Sequence, residues 1–201
     1  MGYEVIFNER RNKIDGIAVG FRKKAFELIS SEVINLDTDH IYEKNPEFRR
    51  GNIAIVAHLK HLETGKIVHV LGTHFFWNPR KEHIKYLQMS IIMQYFNKNY
   101  SSDDLIIWGG DLNSKPNDNN VNYVSHLIEP TAERMEFFSQ EGIEYMKDIH
   151  SNMEKNMQKK ISFDNAYEFY GAASGNKDKK FPKCTNFTTN FKDTLDHIFF
   201  N

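Results

Sequence analysis

The run Ile67-Val68-His69-Val70-Leu71-Gly72-Thr73-His74 is the pivot of this 201-residue sequence. Apolar and β-branched residues dominate it, so it reads as a strand. Upstream, Ile53-Ala54-Ile55-Val56-Ala57 continues through His58-Leu59-Lys60-His61-Leu62 into the polar stretch Glu63-Thr64-Gly65-Lys66. A glycine-containing turn between two such runs predicts a β-hairpin. Downstream the period changes. Ile84, Leu87, Ile91 and Tyr95, with Gln88 and Ile92, recur at helical spacing. That predicts a helix over 81–99, starting after Asn78-Pro79. Asp104-Leu105-Ile106-Ile107-Trp108 then reads as a short, continuously buried strand. Farther out, Asp15-Gly16-Ile17-Ala18-Val19-Gly20-Phe21 and Thr194-Leu195-Asp196-His197-Ile198-Phe199-Phe200 predict two more strands. Short helices are expected over 121–128 and 132–139. Strands alternating with helices, plus an early hairpin, predict an α/β fold: a layered α/β sandwich with mixed β-sheets and outer helices.

Composition narrows the functional classes. Lys and Arg total 26 against 27 Asp and Glu, a formal net charge of −1, which argues against a protein that coats nucleic acid. It leaves room for an enzyme with a local basic face. With 40% apolar and 26% charged residues the chain has the profile of a folded globular protein rather than a disordered one. No apolar run approaches the roughly 20 residues that span a bilayer. Met1-Gly2-Tyr3-Glu4-Val5 lacks the apolar core of a secretory signal, and Ile6 stands where a myristoylation pattern needs Ser or Thr. Cys184 is the single cysteine, which excludes an intrachain disulfide and a cysteine-rich zinc site. A reducing, intracellular setting is expected, with cytoplasm, nucleus and mitochondrion all open.

Three segments carry groups with chemistry. They are Gly72-Thr73-His74-Phe75-Phe76-Trp77-Asn78-Pro79, Trp108-Gly109-Gly110-Asp111-Leu112-Asn113-Ser114 and Phe191-Lys192-Asp193-Thr194-Leu195-Asp196-His197-Ile198. Each sets a polar group at or near the end of a strand, where rigid backbone fixes its geometry. Gly-Asp-x-Asn on its own is also an ordinary turn sequence. Asp196 is more informative. It sits in a strand reading Leu-x-x-Ile-Phe-Phe, and burying it unpaired would cost several kcal/mol, so it needs a partner, a metal or water.

Taken in this order, the segments resemble the endonuclease/exonuclease/phosphatase superfamily, and within it the carbon-catabolite-repressor-type deadenylases with nocturnin, Angel and the fungal Ngl proteins. Lys13-Ile14-Asp15-Gly16-Ile17-Ala18-Val19 is similar to the family's K-x-D-G-x-A strand, and Arg50-Gly51-Asn52-Ile53-Ala54 to the entry of its next strand. Thr73-His74 with Trp77-Asn78-Pro79 matches T-H-x-x-W-(D/N)-P. Gly110-Asp111-Leu112-Asn113-Ser114 with Pro116 matches G-D-(F/L)-N-S-x-P. Thr185-Asn186-Phe187-Thr188 matches T-N-(Y/F)-T, and the stretch from Phe191 to Phe199 matches F-K-x-x-(L/I)-D-(Y/H)-I-F. The resemblance spans residues 3–200. The family's early Asn motif and its Q-E glutamate would precede Tyr3, and its closing S-D-H motif would follow Asn201. Residues 1–201 are therefore expected to form one partial domain lacking both.

The resemblance implies Mg²⁺-dependent hydrolysis of RNA phosphodiesters from the 3′ end, releasing mononucleotides, with RNA 3′ ends, poly(A) among them, as the expected partner. It implies four catalytic residues. Asp111 would orient or deprotonate the water, Asn113 would hydrogen-bond a phosphate oxygen, and His74 would bind the phosphate or assist the leaving group. Asp196 would hold the family's closing His. Asp111 and Asn113 would give Mg²⁺ weak protein ligation, with water and phosphate filling the remaining positions. Phe191 would stack a base, and Asn78, Pro79 and Asn186 would line the same substrate pocket. Lys177, Lys179, Lys180 and Lys183, with Arg49 and Arg50, are candidates for attracting the phosphate backbone. A non-catalytic RNA- or protein-binding remnant is the first alternative. A superfamily phosphatase or DNA-repair endonuclease is the second, and the Trp77-Asn78-Pro79 and Phe191-Lys192 stretches favour RNA over it.

Overall fold

The computed structural model describes residues 2–11, 13–38, 41–173 and 181–201. Two strands, β1 (Tyr3–Glu9) and β2 (Gly16–Arg22), pair as an antiparallel hairpin. Strand β3 (Phe26–Asn35) leads through the one-turn helix α1 (Ile41–Lys44) to β4 (Ile53–His61), which turns back as β5 (Ile67–His74). The long helix α2 (Glu82–Asn99) then crosses over to β6 (Leu105–Asp111). Beyond it come α3 (Asn119–His126), α4 (Gln140–Asn156), the two-residue β7 (Asp164–Asn165) and α5 (Ala166–Ala173). The chain ends in a ribbon of β8 (Asn186–Phe187) and β9 (Lys192–Asp193), followed by β10 (Asp196–Phe200).

The central sheet has the order β3-β4-β5-β6-β10-β7. Every neighbouring pair with a full ladder is antiparallel except β5 and β6, which run parallel because the crossover helix α2 joins them. The α/β, mixed-sheet architecture expected from the sequence is the one observed. On one face, Ala54, Val56, Leu71, Ile106, Trp108 and Phe199 pack under α2 and α4, where Leu87, Ile92, Phe96, Met146 and Met153 are fully buried. The other face is divided. Ile55, Ala57 and Leu59 of β4 lie against Ile17, Val19 and Phe21 of β2. Gly72 makes this contact possible, since a Cβ there would come within 2.8 Å of a Val19 methyl. Among the described residues none covers the same face over β6 and β10 in this way, and Leu105, Ile107 and Ile198 are about 40% exposed.

Two local expectations need correction. The strand expected to be continuously buried at 104–108 alternates instead, with Ile106 and Trp108 inside and Leu105 and Ile107 outside, because the β1–β2 hairpin stops short of it. The helix expected over 132–139 is a single 3₁₀ turn, Ala132–Arg134. The long helix starts where that one was expected to end. Ser139 caps α4 by accepting from the Gly142 N–H, and Ile143, Met146, Ile149 and Met153 form its buried stripe. Strands β1 and β3 escape the sequence pattern because each has an exposed face, and β3 is an edge strand with a bulge between Leu28 and Ser30. No helix among the described residues is long and apolar enough to cross a membrane.

Candidate active site

His74 ends β5, Asp111 ends β6 and Asp196 opens β10. In register, His74 sits opposite Asp111 and Asp111 opposite Asp196. Residues opposite one another project to the same side of a sheet. The three side chains therefore share one rung at one end of the half-covered face. His74 Nε2 lies 3.8 Å from Asp111 Oδ2, with the imidazole 45% and the carboxylate 26% exposed. Burial pushes the Asp111 carboxyl above the usual carboxylate range. The Asn113 N–H and His74 pull it back, while the neighbouring Asp196 carboxylate pushes it further up.

The turn after β6 is bound to its surroundings. Asn113 adopts φ +48°, a left-handed conformation that asparagine tolerates better than most residues. Its N–H donates to Asp111 Oδ1 at 2.7 Å, and its side-chain Nδ2 donates to the Phe75 carbonyl at 2.9 Å. One amide hydrogen and the carbonyl oxygen of that side chain are left for other partners. The Phe75 N–H donates to the Asp111 carbonyl and the Leu112 N–H to the Leu195 carbonyl, so all three strand ends are tied together. Asn78 caps a 3₁₀ turn, Pro79–Lys81, by accepting from the Arg80 N–H at 2.9 Å, with Pro79 at its first position. Trp77 before it is 67% exposed. A cleft of about 330 Å³ opens beside His74, lined among others by Arg10, Lys13, Asp15, Arg50 and Trp77. Asp15 is held below the usual carboxylate range by its paired hydrogen bonds to Arg10, with a smaller contribution from His74. The Arg50 guanidinium lies over the Phe76 ring at 4.6 Å. Arg49 lines a different hollow, with Asn8, Glu9 and Arg11.

Phe191 and Asn186 lie on the β8–β9 ribbon. Asn186 pairs with Asp193, and Phe191, 38% exposed, stands in the turn rather than in the core. The ribbon meets this rung through Thr185. Its hydroxyl accepts from both the Leu195 and Asp196 N–H groups at 3.0 Å. Lys183 is exposed, whereas Lys177, Lys179 and Lys180 lie outside the described residues. Two supporting residues stand inside the quoted motifs but had no role assigned to them. Thr185 sets the backbone of Asp196. His197, 1% exposed, spans from Asn165 to the Ser114 carbonyl, 2.8 Å from Nε2, behind the Asp111 turn. Among the described residues no group of three or more His, Cys, Asp or Glu side chains is arranged to hold a metal ion.

No protein-family model matches the chain. Among curated proteins it is 25% identical over 209 residues to the CCR4-Not complex 3′-5′-exoribonuclease subunit Ccr4 of Kluyveromyces lactis, covering 94% of this chain and 24% of that protein. It is 26% identical to the same subunit of Aspergillus niger, covering 96% of this chain and 32% of the relative. The chain is thus similar to Ccr4 exoribonuclease subunits along nearly its whole length. It spans about a quarter to a third of the length of the curated relatives it matches. The fold is shared with solved structures. ANGEL2, a 2′,3′-cyclic phosphatase, superposes with a TM-score of 0.73 at 19% identity, covering 99% of this chain and 62% of that one. The human Nocturnin catalytic domain superposes at 0.65 and 19% identity, covering 99% and 60%.

Proposed function

We propose that this chain is the central part of a 3′-5′ exoribonuclease domain of the deadenylase type. The observation that carries the reading is the single rung of His74, Asp111 and Asp196 at the open end of the sheet, with Asn113 folded over it. The names of the Ccr4 relatives support RNA as the substrate. On this reading the rest of a longer catalytic domain, such as the solved neighbours possess, supplies further groups.

The reaction breaks a P–O bond by attack of water. Asp111, raised by burial, accepts a proton from that water and orients its lone pair toward phosphorus. The free amide hydrogen of Asn113 donates to a non-bridging phosphate oxygen, where negative charge grows in the transition state. His74, exposed and adjacent to Asp111, hydrogen-bonds the phosphate or protonates the departing ribose oxygen. Asp196 orients the partner imidazole of the family's closing motif. The oxygen donors fit a hard cation such as Mg²⁺, because two carboxylates forced together on one rung are relieved by a divalent charge. Asp111 and the side-chain carbonyl oxygen of Asn113 would hold it, and when bound it would polarise the phosphate and lower the pKa of the attacking water. Phe191 stacks the terminal base, with Asn78, Pro79 and Asn186 around it; adenine ends of poly(A) are the proposed ligand. The exposed aromatic turn at Phe191 supports this placement.

The test is shortening of a 5′-labelled oligo(A) with Mg²⁺ by this chain extended to restore the family's Q-E and S-D-H motifs, the chain by itself being expected to show little activity. The expected result is a ladder from the 3′ end with AMP as product, reduced at least about a hundredfold by Asp111→Ala. Undiminished turnover by that variant refutes the assigned role. Release of inorganic phosphate without shortening would make the chain a phosphatase, and binding of oligo(A) without any product would make it a binding remnant.

A further inference from the structure

Helix α2 buries three polar side chains in one row. Glu82, Lys85 and Gln88 are spaced three apart, so they line one side of the helix, and each is at most 3% exposed. Such a stripe normally carries apolar residues. Here each member reaches a different segment of the candidate site. Gln88 Oε1 accepts from the Phe76 N–H at 2.9 Å, and Gln88 Nε2 donates to Asn52 Oδ1 at 3.1 Å. Asn52 in turn donates to the His74 carbonyl at 2.7 Å, so Gln88 holds the chain on both sides of Phe75. Lys85 Nζ donates to the Asn113 carbonyl at 2.6 Å, while Asp118 Oδ2 stands 4.0 Å away. Glu82 Oε1 accepts from the backbone and side-chain nitrogens of Asn119, fixing the start of α3 just beyond the turn.

Stability alone does not account for Lys85. A buried ammonium is costly to desolvate, and an ion pair at 4.0 Å returns only part of that cost. An apolar side chain of similar volume usually serves a core as well or better. What the ammonium supplies is direction. It fastens the carbonyl of a residue in the left-handed region, whose N–H holds Asp111 Oδ1 and whose side chain holds Phe75.

We propose that Lys85 and Gln88 are positioning residues for the candidate active site. Lys85 sets the Asp111-Leu112-Asn113 turn, Gln88 sets the His74 end of β5, and one helix thereby fixes the distance between the two catalytic segments. The proposal rests on the nuclease reading for its catalytic consequence but not for its geometry, and the two are tested separately. Lys85→Met and Gln88→Met keep side-chain length and remove the polar head, and Lys98→Met, on the exposed end of α2, is the control. Folding is followed by thermal melting, loop geometry by backbone amide shifts and hydrogen exchange, and catalysis by kcat and KM on oligo(A).

Lys85→Met should melt near the wild-type temperature. Its amides at 111–114 should shift and lose protection, and kcat should fall roughly ten- to a hundredfold with KM nearly unchanged. Gln88→Met should disturb the amides at 74–76 instead. Unchanged loop amides in both folded variants overturn the proposal. So does a loss of turnover that merely follows the folded fraction, or failure of both variants to fold, since the row is then framework only. If the wild-type domain extended to restore both end motifs shows no turnover, the nuclease reading fails, and the loop amides still decide whether Lys85 and Gln88 set the geometry.

Discussion

The wall formed by the ends of β5 and β6 is fastened to the buried core, whereas the ribbon at 186–193 is held mainly by its own turn. In the first wall, Asn113, His74 and Phe76 are each gripped by side chains at most 3% exposed. In the ribbon, both strands are two residues long, Phe191 and Thr188 bond one another across the turn, and Phe187 and Phe191 are exposed. Lys115, 3.5 Å from Asp193, and Thr185 tie its base to the rest. Chemistry demands fixed atoms, while stacking on a base tolerates adjustment, so the difference matches the two tasks assigned to these walls.

Three further measurements break or sharpen that contrast. The largest effect is expected at Gly110, which has φ +148° and where a Cβ would fall 2.0 Å from the Thr73 carbonyl oxygen. Gly110→Ala should cost roughly 3–5 kcal/mol in a denaturant titration, because strain and overlap act together between β5 and β6. A loss below about 1 kcal/mol would show that this wall yields more readily than its contacts imply.

The second concerns acid. His83, packed between Phe48 and Tyr145 with both ring nitrogens unbonded, is pushed down by burial to about 4 from its ordinary 6.5. The unfolded chain binds that proton more readily. Stability from this residue is therefore complete above about pH 6.5 and is lost as pH falls toward 4, by up to about 3 kcal/mol. Its neighbour Glu82, raised by burial to about 7 from 4.5, acts in the opposite sense, losing stability as pH rises across that interval. Glu82→Gln should therefore steepen the acid loss of the whole protein and His83→Phe should flatten it. Identical pH profiles for the two variants would contradict this. The smallest effect is expected at the ribbon. Phe191→Ala should weaken oligo(A) binding by about 1–3 kcal/mol with the melting temperature nearly unchanged. A large drop in melting temperature would instead make Phe191 a structural residue.

Much of this was legible along the chain. The hairpin of β4 and β5, the helix α2 and the strands at β2, β6 and β10 follow from apolar periodicity. Helix α4 carries its apolar stripe at Ile143, Met146, Ile149 and Met153, beyond the expected 132–139, where Phe137 and Phe138 face solvent rather than a core. The alternation in β6 was hidden because its outward Leu105 and Ile107 are as apolar as its inward Ile106 and Trp108. In the site, Asp111, Asn113 and His74 announced themselves by motif. Lys85 and Gln88 did not, since a lysine and a glutamine on a helix ordinarily face water.

The amino-acid order determined the local periods, the layered α/β class and the identity of the acid, amide and imidazole groups, because each is written in neighbouring residues. Strand order belonged to the tertiary structure alone. It brings positions 74, 111 and 196 onto one rung, leaves half a sheet face uncovered among the described residues and turns a polar helix row inward. These outcomes depend on which distant surfaces pack together, and packing is a property of complementary shapes in three dimensions that no window along the chain contains.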